Sequence, residues 1–354
     1  RRAVLKGGMA IALATPFVNR IVKPARAEGS GVINIATFGG SYGEALHDVW
    51  FEPFEKETGI KVNQGPGATL ALAKLQAMNP GGAEWDIIDL SANNYVDAVK
   101  EDLLEPIKDH VDLSKILPEY VKSHSWAYVA YVYVVGYNSQ KIAVGDAPQV
   151  WSDIWDKNRY SGKRALNNVD VETQALQVAL LADGVQPSKV FPMDLDRAFA
   201  SLDKLGRDNI VWGMSLQDPV QQIGSGETPT GGIYTGRAVM ANRQGAKIGM
   251  SRKQGLIGSN CLSVMKNSKN KKEAFELLNF IATRGDLAAQ FTMRTAYGIP
   301  HVDVDKLLPK EADDIRPFLP TDEELRTSAV VENPEYEAAH MKEIVRRFQE
   351  WQLS

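Results

Sequence analysis

Val32-Ile33-Asn34-Ile35-Ala36-Thr37-Phe38-Gly39-Gly40-Ser41-Tyr42-Gly43 is the stretch that decides the fold. Val32 to Phe38 is a strand by its β-branched content and its alternation. It ends in a glycine-rich turn, after which Leu46, Val49, Trp50 and Phe54 recur at helical spacing until Gly59 closes the helix. Ile60-Lys61-Val62 reads as a second strand and Ala68 to Met78 as a second helix. Asp86-Ile87-Ile88-Asp89-Leu90 is a buried strand, followed by a helix around Tyr95 to Glu101. This βαβαβ alternation implies an α/β fold with a parallel sheet covered on both faces.

Downstream, Tyr128 to Tyr137 is β-rich and too long for one ordinary strand face, so it can carry the chain from one lobe to another. After the Trp-rich Trp151-Ser152-Asp153-Ile154-Trp155 a second alternation begins. It has a strand near Ala165-Leu166, helices at Thr173 to Asp183 and Leu195 to Leu205, and a strand at Ile210 to Trp212. Gly224 to Gly232 reads as a loop, Gly232-Ile233-Tyr234 as a short strand, and Arg237 to Gln244 as a helix closed by Gly245. Cys261 to Met265 is a strand, Lys271 to Thr283 a helix, and Pro334 to Trp351 a charged helical tail. Trp50, Trp85, Trp126, Trp151, Trp155 and Trp212 read as core. Tyr42, Tyr234 and Tyr297 sit beside glycines at element ends and are candidates to face a cleft.

Upstream, the chain opens Arg1-Arg2-Ala3-Val4-Leu5-Lys6 and carries no acidic residue before Glu28. A positive start, an apolar stretch from Gly7 to Val18 and Ala25-Arg26-Ala27 together read as an export leader over residues 1–27. The paired arginines resemble a twin-arginine signal. The 354 residues hold 40 Lys+Arg and 44 Asp+Glu, a net charge of −4. Cleavage after Ala27 removes six positive charges and leaves a body of −10, which argues against a nucleic-acid partner. A hydrophobic content of 44% excludes wholesale disorder. The one cysteine, Cys261, excludes an intrachain disulfide and a multi-Cys zinc site.

Gly39-x-Ser41-x-Gly43 matches the nucleophile-elbow pattern of serine hydrolases, and it stands between a strand and a helix. It lies on the first strand of the body, too early for that fold, and the five histidines stand in no motif. The alternative reading is a turn whose backbone N–H groups suit a polar or anionic ligand group. No metal-ligand spacing and no cofactor fingerprint is present.

In order along the chain come Phe54-Glu55-Lys56-Glu57-Thr58-Gly59-Ile60-Lys61-Val62, Trp85-Asp86-Ile87-Ile88, Tyr95-Val96-Asp97 and Gly136-Tyr137-Asn138. Trp151 to Trp155, Tyr160-Ser161-Gly162-Lys163, Glu273 to Phe280 and Tyr297-Gly298-Ile299-Pro300 follow. Over Ile33 to about His301 this order resembles the periplasmic solute-binding proteins of ABC importers, most of all their spermidine/putrescine-binding branch. The resemblance implies a two-lobed periplasmic-binding-protein fold of type II, each lobe a mixed, mostly parallel sheet flanked by helices, with the ligand cleft between lobes. It places lobe 1 at 28–137 plus 259–305 and lobe 2 at 138–258 plus 306–354. It also implies hinge closure on a solute, delivery to an inner-membrane permease, a monomer, and no catalysis, cofactor or metal in this chain.

Carried onto this sequence, the family's ligand positions fall on Gly40, Ser41 and Tyr42 in the first turn and on Asn93 and Asn94 ahead of Tyr95. They continue at Asp170, Val171, Glu172 and Gln174, at Tyr234, and at Gly258 and Asn260. An ammonium-binding carboxylate has thus become the amide Asn260, and an aromatic wall has become Gly258. Arg237, three residues past Tyr234, is either a carboxylate clamp or a surface arginine. These departures favour a carboxylate-bearing or zwitterionic solute over a bare polyamine, with an exported serine hydrolase using Ser41 as the alternative.

Overall fold

The computed structural model describes residues 31–354 except 171; the leader expected over residues 1–27 lies outside the described residues. β1 (Val32–Thr37) leads through the glycine turn into α1 (Gly40–Leu46), a π-helical turn (His47–Phe51) and α2 (Glu52–Thr58). Gly59 ends this helical run at φ +74°, a left-handed conformation that suits glycine. The expected apolar stripe is the buried one, since Leu46, Trp50 and Phe54 have no exposed surface and Trp50 stacks on Phe291 at 4.5 Å. β2 (Lys61–Pro66), α3 (Leu70–Ala77), β3 (Ile87–Ser91) and α4 (Ala92–Lys100) complete the first alternation.

β4 (Ala127–Asn138) then runs out of this half. α5 (Trp151–Trp155), β5 (Arg164–Asn167), α6 (Gln174–Ala182), α7 (Leu195–Leu205) and β6 (Ile210–Gly213) follow. α8 (Asp218–Gly224), β7 (Thr230–Tyr234) and α9 (Thr235–Arg243) finish the second alternation. β8 (Ile248–Val264) returns the chain to the first half, where α10 (Lys271–Thr283), α11 (Gly285–Thr295) and α12 (Val304–Leu307) pack. α13 (Glu323–Ser328), β9 (Val330–Val331) and α14 (Pro334–Leu353) end the chain. Among the described residues no helix is long and apolar enough to cross a membrane.

The strands lie in the order β2-β1-β3-β8-β4-β7-β5-β6, with β9 added beside β8. β1 is parallel to β2 and β3, and β5 is parallel to β6 and β7. Between these parallel sets, β8 and β4 pair antiparallel with each other and with the strand on either side. One core gathers Ile33, Trp50, Leu278 and Phe291 on one side; another gathers Trp151, Leu176, Leu202 and Phe348 on the other. Leu308, Ala312, Ile315 and Leu319 pack with the first core. The division expected at 305 groups 306–319 with the other lobe, whereas these apolar side chains belong to the core that holds Phe291.

Two elements show what the sequence reading missed. α8 was not read, the loop assigned to Gly224 to Gly232 touching only its last residue, and β8 was expected only from Cys261 onward. β8 is 17 residues long, and its glycines are what hid it. Glycine in a strand marks a close approach: Gly258 and Gly249 stand directly across from Tyr131 and Tyr137. A Cβ at Gly258 would lie 2.2 Å from the Tyr131 ring, and one at Gly249 would lie 2.1 Å from the Tyr137 ring. The rings of β4 fold over the bare backbone of β8. Gly249→Val is therefore expected to cost ~1–3 kcal/mol through overpacking and to lower the midpoint of thermal unfolding by several degrees, as followed by circular dichroism.

Candidate functional site

The turn after β1 aims Tyr42 inward from the first turn of α1. Its hydroxyl donates to Asp89 Oδ2 at 3.2 Å, Tyr128 donates to the same oxygen at 2.6 Å, and the two hydroxyls also touch each other. Asp89 has no exposed surface, and burial pushes its carboxyl up to about 7. Tyr42 thus has a fixed ring, edge-on to Tyr297 at 6.0 Å and to Phe38 at 6.4 Å. From the other half, β7 runs into α9 without a loop: Tyr234 ends the strand and caps the helix, so Arg237 follows one turn later. Gly236 between them lets α9 approach the first half, because a Cβ there would lie 2.9 Å from the Tyr297 ring and 3.0 Å from the Thr295 carbonyl oxygen.

These side chains enclose a central cavity of about 220 Å³. Five rings line it: Phe38, Tyr42, Tyr131, Tyr234 and Tyr297. Its polar lining is Ser91, Glu172, Arg237 and Asn260. Tyr131 stands edge-on to Tyr234 at 5.5 Å. The Arg237 Nη1 donates to Gln217 Oε1 at 3.3 Å, whereas its Nε and the Tyr234 hydroxyl are buried without a partner among the described residues. Such orphaned groups are costly unless something fills them.

The cavity continues in two directions of different charge. Through Tyr42, Arg237 and Tyr297 it joins a chamber of about 550 Å³ lined by Gly40, Ser41, Glu44, Gln217, Gln221 and Arg294. Through Ser91, Tyr131 and Glu172 it joins a chamber of about 280 Å³ that holds Asn93, Asn94, Asp170, Glu332 and Glu337. Burial pushes the Glu172 and Glu337 carboxyls up to about 7 and the Glu332 carboxyl up to about 8, with Glu337 adding repulsion to the other two.

Of the residues named from sequence, Tyr42, Glu172, Tyr234, Arg237 and Asn260 meet in the central cavity. Gly40 and Ser41 line the arginine end, and Asn93, Asn94 and Asp170 the acidic end. Val171 lies outside the described residues. At Gly258, read as a lost aromatic wall, the Tyr131 ring from the neighbouring strand covers the position. Phe38, Tyr131 and Leu216 escaped the sequence reading, as did Glu332 and Glu337 on the segment leading into α14. A glycine directly opposite a tyrosine was the available signal for Tyr131; Glu332 and Glu337 stand in no motif. Ser41 has no hydrogen bond to a histidine among the described residues, and the nearby His47 is engaged with Asp48 at 3.1 Å.

A family model for bacterial extracellular solute-binding proteins matches residues 50–314. The chain belongs to this family. Its members bind small solutes and work with ABC transporter permeases, and its relatives are solute-binding proteins, not enzymes. This solute-binding protein is 29% identical over 327 residues to the gamma-aminobutyric acid-binding protein of Pseudomonas aeruginosa, covering 90% of each chain. It is 26% identical to the spermidine/putrescine-binding periplasmic protein of Escherichia coli, covering 78% of this chain and 80% of that one. A solved GABA receptor matches with a TM-score of 0.81 at 30% identity, over 90% of this chain and 97% of that one. A periplasmic binding protein of Agrobacterium tumefaciens in complex with agropinic acid matches at 0.74 and 25% identity, over 92% and 100%. The solute-binding protein thus has the two-lobed fold of these neighbours, with the cavity and its two chambers where β4 and β8 cross.

The raised carboxyls set a pH dependence. Glu172, Glu332, Glu337 and Asp89 hold protons in the folded protein over a range where the unfolded chain, with ordinary carboxyls near 4, has lost them. The stability these groups contribute is therefore expected to be lost as pH rises from about 4 to the folded values of about 7 and 8, with no further loss from them above that. Thermal melts of the ligand-free protein should fall in midpoint from pH ~5 to pH ~8 and level off above that, with Glu332→Gln making the decline shallower.

Proposed function

We propose that this chain is the periplasmic binding component of an ABC importer and that its solute is a small ω-amino acid of the 4-aminobutanoate type. The observation that carries this reading is the central cavity itself: a wall of aromatic rings with Arg237 toward one side and Glu172 toward the other. A guanidinium recognises a carboxylate bidentately. Its buried, unpartnered Nε and the unpartnered Tyr234 hydroxyl are donors for that carboxylate. Tyr42, Tyr131 and Tyr297 offer faces for the methylene groups and, by cation–π attraction, for an ammonium. Glu172 accepts from the ammonium, which draws its raised carboxyl into the ionised form. The names of the gamma-aminobutyric acid-binding relative and the solved GABA receptor agree with this chemistry.

In this reading, residues 28–137 plus 259–305 form one lobe and 138–258 plus 306–354 the other, with 306–319 reassigned to the first by its packing. The lobes close on the solute by bending where β4 and β8 change register, and the closed monomer docks on its permease. Residues 1–27 act as a twin-arginine leader that brings the chain to the periplasm.

Calorimetry with 4-aminobutanoate, putrescine and spermidine tests the solute. The amino acid is expected to bind at least tenfold more tightly than either polyamine, with a compaction visible by small-angle scattering. Arg237→Ala should weaken it about 100-fold, the worth of a charge-assisted hydrogen-bonded contact. Tighter binding of putrescine, unaffected by Arg237→Ala, would overturn the reading.

A further inference from the structure

A short ω-amino acid held between Arg237 and Glu172 leaves the acidic chamber beyond Glu172 empty. That chamber, about 280 Å³, is larger than the central cavity, and no lysine, arginine or histidine lines it. Glu337 is nine-tenths buried at 8% exposure. One of its oxygens accepts from Thr173 Oγ1 at 3.2 Å and from Gln177 Nε2 at 3.0 Å. The other oxygen accepts no hydrogen bond among the described residues. Glu332 accepts from Ser259 Oγ at 2.5 Å. In the same wall the Gln174 Oε1 is buried with no donor. The chamber is therefore a set of desolvated acceptors without a cation, an arrangement that is expensive unless a proton or an ammonium completes it.

The acceptors are also held in place. Val330 and Val331 pair with Leu256 and Ile257 of β8, and the Asn333 side chain caps α14 by accepting from the Tyr336 N–H at 3.0 Å. Glu332 and Glu337 thus sit on either side of a braced strand-to-helix junction, and a ligand meets them without having to order a loop. The described residues contain no group of three carboxylate, histidine or cysteine side chains placed to hold a metal ion, so the chemistry that fits is an organic ammonium.

We propose that this chamber is a second cation subsite and that the whole cleft takes carboxylated polyamines. Such a solute has a carboxylate for Arg237, a first amine at Glu172 beside the rings, and a terminal ammonium, one short alkyl chain further on, at Glu332 and Glu337. The first half of this assignment rests on the zwitterion reading above; the second half rests on the acidic chamber alone.

The two halves separate in one experiment. Full-length protein is titrated calorimetrically with 4-aminobutanoate, with N-(4-aminobutyl)-3-aminopropanoate and with spermidine, as wild type and as Glu332→Gln, Glu337→Gln and the double variant. The aminobutyl compound is expected to bind wild type at least tenfold more tightly than 4-aminobutanoate, and spermidine more weakly than the aminobutyl compound. The double variant should erase the tenfold gain while leaving 4-aminobutanoate affinity within twofold, which also shows that the variant folds. Wild type that binds 4-aminobutanoate but gains nothing from the aminobutyl extension overturns the second subsite and leaves the zwitterion reading standing. So does a gain that survives the double variant. Spermidine binding more tightly than both carboxylated compounds overturns the two together.

Discussion

The antiparallel pairing of β4 with β8 is the constraint on which the rest of this molecule depends. Each half has its own parallel strands and its own core, yet neither sheet is complete without these two long strands. Their pairing breaks register between Tyr133 and Val135, where β8 jumps from Leu256 to Ser251. The extra residues form a bulge, the usual device for bending a strand pair. Gln254 in that bulge sits at φ +56°, and Trp151 holds it through two hydrogen bonds, to its side chain at 3.3 Å and its carbonyl at 2.8 Å. The same crossing carries Tyr131, Asn260 and Gly258 into the cleft, so the element that joins the halves is also part of the ligand wall.

The cleft's electrostatics follow from where its charges can be solvated. The body of the chain is acidic on balance, and most of its ion pairs lie at the surface, where they contribute little. Inside the cleft the charges are unevenly spread. Arg237 and Arg294 stand at one end beside Glu44, while Glu172, Glu332 and Glu337 stand at the other with no cation among the chamber's lining residues. Desolvation makes the acidic end titrate near neutrality, so an incoming ammonium and a proton compete for the same oxygens.

Much of the fold was legible because local signals agreed with the global answer. The stripe of Leu46, Trp50 and Phe54 and the closing Gly59 are rules of one element each, and α7 was read to the residue from its periodicity. What was not legible needed knowledge of a neighbouring strand. β8 breaks its alternation with Gly249, Gly255 and Gly258, and only the tyrosines across from two of them explain why a strand survives there. The site divides in the same way. Tyr42, Tyr234 and Arg237 sit at element ends, where a sequence advertises a cleft. Tyr131 lies in mid-strand and reads as core, and Glu332 and Glu337 reach the cleft only through the return of the last helix. The packing of Leu308 to Leu319 was not legible because its apolar residues do not say which of two cores they serve.

The interleaving of the chain also bears on its synthesis. β3 lacks a neighbour on one side until residues 260–264 of β8 exist, and β7 and β4 lie together before β8 arrives beside them. The second core waits still longer, for Ile344, Phe348 and Trp351 on the final helix. The second half therefore cannot close its core until α14 has been made, whereas the residues of the first core end at Leu319 and are all present before it. The twenty residues of α14 thus decide when the second half becomes a finished domain, and a truncation there leaves one closed core joined to one open one.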